Sequence, residues 1–111
     1  MSRTSYTVHH LKSWPEYFEA QWDGSKQFEL RHNDRGYEVG DELLIHEWTP
    51  GVCTFTRRVL HLSVNHVLHG GVFDLPGHIC VMSTVVLDRW DVDDDGPFHP
   101  EEPRPETELP L

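Results

Sequence analysis

The chain has 111 residues and a formal net charge of −10. This length suits one domain with a modest core and is too short for two. No run approaches the ~20 apolar residues that cross a bilayer, and the opening MSRTSYTVHH lacks the apolar core of a secretory signal. The sequence therefore predicts a cytoplasmic protein without a membrane partner, and its charge argues at first against nucleic acid, which requires clustered Lys and Arg.

The negative charge is unevenly placed. Residues 91–111 contain eight acidic residues against one base, Arg104, and five of the eight prolines. The tail therefore carries −7 and the first ninety residues only −3. A segment of this composition cannot bury enough apolar surface to offset its ordering entropy. We expect an ordered domain at residues 1–90 and a disordered acidic, proline-rich tail at 91–111, which keeps the protein soluble or competes with RNA for a basic groove.

The N-terminal part predicts a strand at residues 6–11 and a helix at residues 14–23. Ser13 and Glu16 form an S-x-x-E capping box, and Gly24 suits the left-handed residue that ends a helix. Three aromatic residues recur at four-residue steps and form one apolar stripe, which is typical of a core-facing helix. They are Trp14, Phe18 and Trp22.

After the helix the apolar period changes to two. Residues 27–32 place Phe28 and Leu30 on one face of a strand and Glu29 and Arg31 on the other. Further strands are predicted at 42–48, at 54–68 (one long strand or two, interrupted near Asn65) and at 78–87, which is apolar on both faces and so expected to be central. The pattern predicts a mainly β fold with one N-terminal helix, an α+β chain that closes into a small β-barrel.

Residues 22–48, WDGSKQFELRHNDRGYEVGDELLIHEW, resemble the signature of ASCH-type domains. In that signature a helix ends in G-x-K, a strand reads x-x-E-x-R or x-x-T-x-R, and V-G-D opens the next strand. With HHLKSWPEYFEA before it, the chain resembles most a small uncharacterised phage and bacterial family with potential RNA binding inside the PUA-like superfamily. The resemblance covers residues 8–87 and implies a PUA-like β-barrel that binds RNA or a nucleotide-like ligand.

Charged and aromatic side chains in this region are the candidate ligand-binding residues. Two side chains of one strand face, Glu29 and Arg31, have heads within ~7 Å, and Arg forks suit phosphates or base edges while aromatic rings stack on bases. The alternative for Glu29 and Arg31 is a half-exposed surface ion pair. The candidate set is Lys12, Lys26, Glu29, Arg31, Arg35, Tyr37 and Trp48.

Two other functions stay open. Some ASCH relatives are amidohydrolases that deacylate a modified cytidine, so the resemblance also allows a hydrolase of an acylated nucleoside such as N4-acylcytidine, with Lys26 and Glu29 as catalytic residues. Those relatives use a threonine at the Glu29 position, so the hydroxyl mechanism does not carry over. The third function is a phage-type accessory interaction protein.

Other residues are assigned to structure. Residues 33–36 predict a tight turn with Asn33 and Asp34 bonding their own backbone, and Gly40 and Asp41 are expected to fix the entry to the next strand. Neither cysteine lies in a CxxC pair, so Cys53 and Cys80 are expected to be buried free thiols. No cofactor and no metal are expected, because His61, His66 and His69 match no familiar zinc spacing. A monomer is assumed.

Overall fold

The structure is a computed structural model that describes residues 6–52 and 54–91. Within them the chain forms one helix and five strands. They are β1 (Val8–Ser13), α1 (Pro15–Trp22), β2 (Phe28–His32), β3 (Glu42–Thr49), β4 (Thr54–His69) and β5 (Ile79–Asp91). A mainly β chain with one short N-terminal helix confirms the predicted class. In this described part, no helix combines the length and the apolar character that crossing a membrane requires.

The strands form one sheet in the order β1-β3-β4-β5-β2. β1 pairs with β3 in parallel and the other neighbours are antiparallel. The long strand β4 shifts register against β5 between His61 and Leu62 and again between Val64 and His66. Such bulges bend a strand and increase its twist, and they let the sheet curl into a half-barrel.

Two arginine side chains bridge the ends of the curled sheet. β1 and β2 stand at opposite ends of the strand order, yet Arg31 of β2 donates from Nη2 to the Lys12 carbonyl of β1 at 2.9 Å. Arg35 donates from Nη1 to the His10 carbonyl, which lies two residues before Lys12 on β1, at 2.8 Å. Guanidinium groups therefore supply the hydrogen bonds that a paired strand would give to this edge of β1.

The period-two pattern of β2 is present, but its charged face is the buried one. Glu29 and Arg31 are 0% and 1% exposed, whereas Phe28 is 44% exposed. The interpretation of Glu29 and Arg31 as a half-exposed surface pair is therefore wrong. The alternation follows from the strand backbone alone, but the buried face depends on the partners that the curled sheet brings to Glu29.

The core lies between the sheet and one face of α1. Phe18 is fully buried and Trp22 packs partly buried against the same cluster, which confirms the core assignment for these two members of the aromatic stripe. The other core members come from β1, β3, β4 and β5, and from the loop before β3. They include Leu11, Tyr37, Leu43, Ile45, Leu60, Leu62, Val64, Cys80 and Met82.

The helix begins differently from the prediction. Ser13 is the last residue of β1 and pairs with Glu47 of β3, so it cannot take the N-cap position. Trp14 holds that position without a side-chain hydrogen bond, and the S-x-x-E capping box is not formed. At the other end Gly24 has φ +89°, the left-handed conformation expected of a helix-ending glycine.

The chain bends at residues 33–36, with Gly36 at φ +62°, but Asn33 does not make the bond that was expected of it. Asn33 donates from Nδ2 to His69 at 3.4 Å, and its Oδ1 has no hydrogen-bond partner within the described ranges, so the expected bond to its own backbone is not made. Long-range partners therefore compete successfully with the local turn.

Asp41 fixes the entry to β3, as expected. It is buried, and its carboxylate accepts from the Thr7 backbone N–H at 3.2 Å, from His9 Nε2 at 3.0 Å and from the Glu38 backbone N–H at 3.0 Å. Gly40, at φ +96°, lies so close to the Tyr6 ring that a Cβ would meet it at 2.4 Å. Both residues are therefore structural.

The end of β5 passes the predicted domain boundary. Asp91, the first residue of the predicted tail, pairs with Arg58 of β4. The remainder of that tail, residues 92–111, lies outside the described residues, as does Cys53. Cys80 is a buried free thiol, as predicted.

Replacing Arg31 with leucine should destabilise the fold strongly. The change leaves Glu29 with less compensation for its buried charge and removes the donor to the Lys12 carbonyl. Breaking a buried pair in this way typically lowers the free energy of unfolding by about 3–5 kcal/mol. Urea titration should show that loss for Arg31→Leu, while the exposed Arg57→Leu control changes it by about 0.5 kcal/mol or less. Similar values for both variants would contradict the role assigned to Arg31.

Candidate functional site

Four polar side chains form a buried cluster at the junction of α1 and β2. We call Gln21, Lys26, Glu29 and Arg31 the Glu29 cluster; all four are at most 9% exposed. Glu29 Oε1 accepts from Gln21 Nε2 at 2.5 Å and from Lys26 Nζ at 3.1 Å. Glu29 Oε2 accepts from Arg31 Nε at 2.6 Å. One carboxylate therefore organises two cations and an amide from three consecutive segments of the chain.

The turn after α1 delivers Lys26 to this cluster. The Lys26 backbone N–H donates to the Ala20 carbonyl at 2.9 Å, and Ser25 donates its backbone N–H to Asp23 Oδ1 at 2.8 Å. Hydrogen bonds from the Ser25 side chain and backbone hold the pKa of Asp23 below its ordinary value. Together with the left-handed Gly24, these bonds fold the chain back so that the Lys26 stem points along β2, where Nζ also donates to the Phe28 carbonyl at 2.8 Å.

The helix that carries Gln21 is fastened to the sheet by Arg58. Its guanidinium donates to Glu47 through Nε and Nη2, both at 2.9 Å, and to Glu19 of the helix at 2.7 Å. It also lies over the Phe18 and Trp22 rings, at 5.1 and 4.9 Å from their centroids. The hydrogen bond to Glu47 is the main cause that raises the pKa of Arg58, so this clamp stays charged.

Glu47 is the anionic side of that clamp. Burial by itself would raise the pKa of Glu47, but hydrogen bonds from Arg58 and Thr56 outweigh it and hold the pKa below its ordinary value. The clamp is therefore an ion pair at neutral pH, and α1 sits in a fixed position over the sheet.

A cavity of about 240 Å³ opens beside the Glu29 cluster. Its walls combine polar side chains from α1, the following turn and β5 with apolar side chains from β4 and β5. The polar ones include Gln21, Lys26, Thr84 and Arg89, and the apolar ones Leu62 and Val86. A mostly apolar wall with a few fixed polar groups is the usual composition of a small-molecule site.

Hydrogen-bond donors remain available at this cavity. Lys26 has three ammonium N–H donors, and two of them bond Phe28 O and Glu29 Oε1. Arg89 bonds the Trp22 carbonyl through Nε at 3.1 Å, and its terminal guanidinium nitrogens meet no acceptor among residues 6–52 and 54–91. The cavity is therefore lined by one buried and one exposed cation that can each bind a further acceptor.

The other predicted ligand residues lie elsewhere. Lys12 places Nζ 3.9 Å from the centroid of the Trp48 ring, a cation–π pair separate from the cavity. Arg35 is used at the β1 edge. Tyr37 is 3% exposed and packs edge-on against His9, so its ring has little surface left on which a base could stack.

A second, larger hollow of about 560 Å³ lies near Tyr37. Residues of the β2–β3 loop and the end of β4 line it, including Asn33, Glu38, His66 and His69.

The structure divides the predicted ligand residues into separate places. Lys26, Glu29 and Arg31 come together in the Glu29 cluster. The others do not join them: Lys12, Arg35, Tyr37 and Trp48.

Four polar residues of the cavity, Gln21, Gln27, Thr84 and Arg89, were missed by the sequence interpretation. Gln21 lies three residues after Phe18, which places it on the core-facing side of α1, so helical periodicity could have identified it. Thr84 and Arg89 lie on β5, in or next to the segment interpreted only as a central strand. Their partner residues are distant in sequence, and no local signal marks them.

The Cys80 thiol is unsuited to nucleophilic chemistry, and the His10–His46 pair lies apart from the cavity. Burial raises the pKa of the Cys80 thiol to about 11, which keeps it protonated. Among the residues placed by the structure, no group of three or more His, Cys, Asp or Glu side chains could hold a metal ion. The stacked rings of His10 and His46 lie with Nδ1 and Nε2 3.2 Å apart. Burial, and then the neighbouring His10, lower the pKa of His46 to about 4.

Comparison with known proteins places these features in a family. The model of the family described as a domain of unknown function, DUF3850, matches residues 8–84. An uncharacterized 12.9 kDa protein in the GpA 3′ region of Escherichia phage P2 is 40% identical over 60 residues. That match covers 54% of this chain and 53% of the phage protein, so the chain spans about half the length of the curated relative that it matches.

His46 should make the fold less stable in mild acid. Its pKa of about 4 in the folded chain lies below the ordinary value of 6.5, so the unfolded chain takes up the proton first as the pH falls. The free energy of unfolding should therefore fall between pH 6.5 and pH 4, and the part due to His46 should reach about 2 kcal/mol between pH 7.5 and pH 5. Urea titrations at both pH values should show that this part is lost in His46→Gln and kept in the exposed control His66→Gln. An NMR titration midpoint for the His46 ring above pH 6 would contradict it.

Proposed function

We propose that this chain, which belongs to the DUF3850 family, is a binding module for an RNA segment or a nucleotide-like ligand and that the cavity beside Lys26 is its binding site. The observation that carries the proposal is the state of Lys26. Its side chain is 9% exposed and lines the cavity, and its ammonium is held by Glu29 and the Phe28 carbonyl, which leaves one of its three donors for a ligand. A cation fixed in this way can meet an acceptor without the entropy loss of ordering its side chain first.

The size of the cavity supports a small ligand portion. About 240 Å³ is below the ~300–1,000 Å³ typical of sites for drug-sized molecules, so a single base or nucleoside fits the space better than several nucleotides. Leu62 and Val86 offer apolar contact to the flat faces of a base. Arg89, on the solvent side, offers its guanidinium to a phosphate.

Local charge supports this proposal although the whole chain is acidic. Among the residues that the structure describes, the side chains that line the cavity include two cations, Lys26 and Arg89, and no carboxylate. Glu29, behind Lys26, is also paired with Arg31. The excess of acidic residues lies mostly at 91–111. A ligand phosphate near the cavity therefore meets a positive field.

We further propose that the fold is a PUA-like barrel of the ASCH branch. The proposal is supported by where the residues of the resemblance lie. Gly24 ends α1 in the left-handed conformation, Glu29 and Arg31 lie side by side on β2, and Gly40 and Asp41 lead into β3. Each part of the G-x-K, E-x-R and V-G-D signature thus occupies the kind of element that the resemblance implies.

Hydrolysis of an acylated nucleoside is the second candidate, because Lys26 Nζ and Glu29 Oε1 are only 3.1 Å apart. The same geometry favours binding, however. The Glu29 carboxylate accepts from Gln21, Lys26 and Arg31, and a carboxylate occupied by three internal donors is better suited to holding Lys26 than to taking a proton from a substrate. A phage-type accessory role is supported only by the likeness to the phage P2 protein.

Removing Lys26 or Arg89 should weaken ligand binding. Fluorescence anisotropy with a labelled short single-stranded RNA at low salt should show weaker binding for Lys26→Met and for Arg89→Gln than for the native chain. The slope of log affinity against log salt concentration should fall in magnitude by about 0.7 for each phosphate that the protein no longer neutralises. Arg89→Gln should therefore have a shallower slope than the native chain. Arg57→Gln, an exposed cation outside the cavity, is the matched control and should bind like the native chain. Failure of the native chain to bind any single-stranded RNA or any free nucleoside monophosphate would end the proposal.

Lys26→Arg separates binding from hydrolysis. An arginine keeps the positive charge but cannot exchange a proton or attack a carbonyl. RNA binding should therefore be largely kept in Lys26→Arg, and neither protein should deacylate N4-acylcytidine. Turnover by the native chain that vanishes in Lys26→Arg would establish the hydrolase instead.

A further inference from the structure

The orientation of the Gln21 side-chain amide is fixed by its partners. Its Nε2 lies 2.5 Å from Glu29 Oε1 and 3.2 Å from the Phe28 carbonyl oxygen. Both partners are acceptors, so the amide must turn its NH₂ group toward them and its oxygen away from them. Gln21 is 1% exposed, so this orientation is held inside the fold.

The oxygen of that amide lacks a partner. Gln21 Oε1 is buried and accepts no hydrogen bond from any residue that the structure describes. A buried acceptor left unpaired costs free energy that a suitable donor would recover. Gln21 lines the same cavity as Lys26. A ligand donor that enters from this cavity becomes the partner of the oxygen after a small shift of the side chains that cover it.

Gln21 and Lys26 are adjacent and complementary. Both donate to the same two oxygens, Glu29 Oε1 and Phe28 O, which places their polar ends side by side. Gln21 then has an acceptor to offer, and Lys26 has a donor. The pair matches a ligand edge on which an N–H stands beside a carbonyl oxygen or a ring nitrogen.

We propose that Gln21 and Lys26 read the Watson–Crick edge of an unpaired nucleobase, with Gln21 as the residue that selects for its N–H donor. The inference rests on the proposed nucleotide-binding function and adds what part of the ligand is recognised. In uracil the N3–H would donate to Gln21 Oε1 while a neighbouring carbonyl oxygen accepts from Lys26 Nζ. A base in a duplex has already used this edge, so the ligand must be single-stranded at the bound position.

Selectivity follows from burial. A ligand whose N–H is replaced by N–CH₃ leaves the Gln21 oxygen unpaired and places a methyl group against it. Sites that bond a buried ligand donor discriminate strongly against analogues that lack it. The cost of one unsatisfied buried group corresponds to roughly a 10–100-fold loss of affinity.

The test compares a short oligouridylate with the same RNA built from 3-methyluridine, and with the oligouridylate annealed to its complement. The two single strands have the same phosphates and differ only at the edge in question. For the native chain, we expect methylation and annealing each to lower affinity roughly 10-fold or more. This comparison needs no variant, so it holds even if changes at Gln21 disturb folding.

Two variants then assign the effect to Gln21. Gln21→Lys keeps a donor for Glu29 and Phe28 O but has no acceptor, and Gln21→Met has neither. Both should bind the methylated and unmethylated RNAs within about two-fold of each other, while Arg57→Gln, a change at an exposed residue outside the cavity, should keep the discrimination. Circular dichroism and thermal melting check that each variant is folded.

The outcomes separate the two proposals. Equal binding of methylated and unmethylated RNA by the native chain would overturn the role of Gln21 and leave the binding function standing. Absence of binding to every RNA in the set would overturn this inference, and together with no binding in the anisotropy experiment it would also remove the RNA-binding function. Discrimination that persists in folded Gln21→Met would also overturn the role given to Gln21.

Discussion

The burial of the Glu29 carboxylate constrains much of this structure. A carboxylate taken out of water costs several kcal/mol unless cations and hydrogen-bond donors compensate it. Here the donors come from α1, from the turn after it and from β2 itself, through Gln21, Lys26 and Arg31. Satisfying one charge therefore fixes where the helix ends, how the turn runs and which face of β2 points inward.

Arg31 extends that constraint across the sheet. Its Nε is bonded to Glu29 while its Nη2 reaches the Lys12 carbonyl on β1, so the same side chain that neutralises the carboxylate also joins the two ends of the strand order. A buried ion pair of this kind is weak evidence for stability, since apolar residues can do as well. Its presence here agrees with a role in positioning Lys26 at the cavity.

The binding proposal depends on that positioning. A surface lysine loses side-chain entropy whenever it is ordered by a ligand, whereas Lys26 is already held by two acceptors. Within that proposal, the same network is the reason to prefer binding to hydrolysis, because the Glu29 carboxylate already accepts from three internal donors. The −10 of the whole chain says little about the charge at this cavity, because most of the acidic excess lies at 91–111 and the cavity is lined by Lys26 and Arg89.

The sequence by itself determined the local features of this protein, and the tertiary structure decided how they are used. The irregularity expected near Asn65 is a register shift within one continuous strand. Alternation in β2 and the helix stop before Gly24 follow from side-chain period and backbone freedom, which act over a few residues. The burial of Glu29 and Arg31, the displacement of Ser13 from its cap and the covering of Tyr37 do not, because each depends on a partner strand distant in the chain. The same holds for the cavity, where Gln21 of α1 and Arg89 of β5 meet only once the sheet has curled. The local sequence pattern shows which residues share a face of a strand or helix. Only the folded sheet decides which face is buried and which residues it contacts.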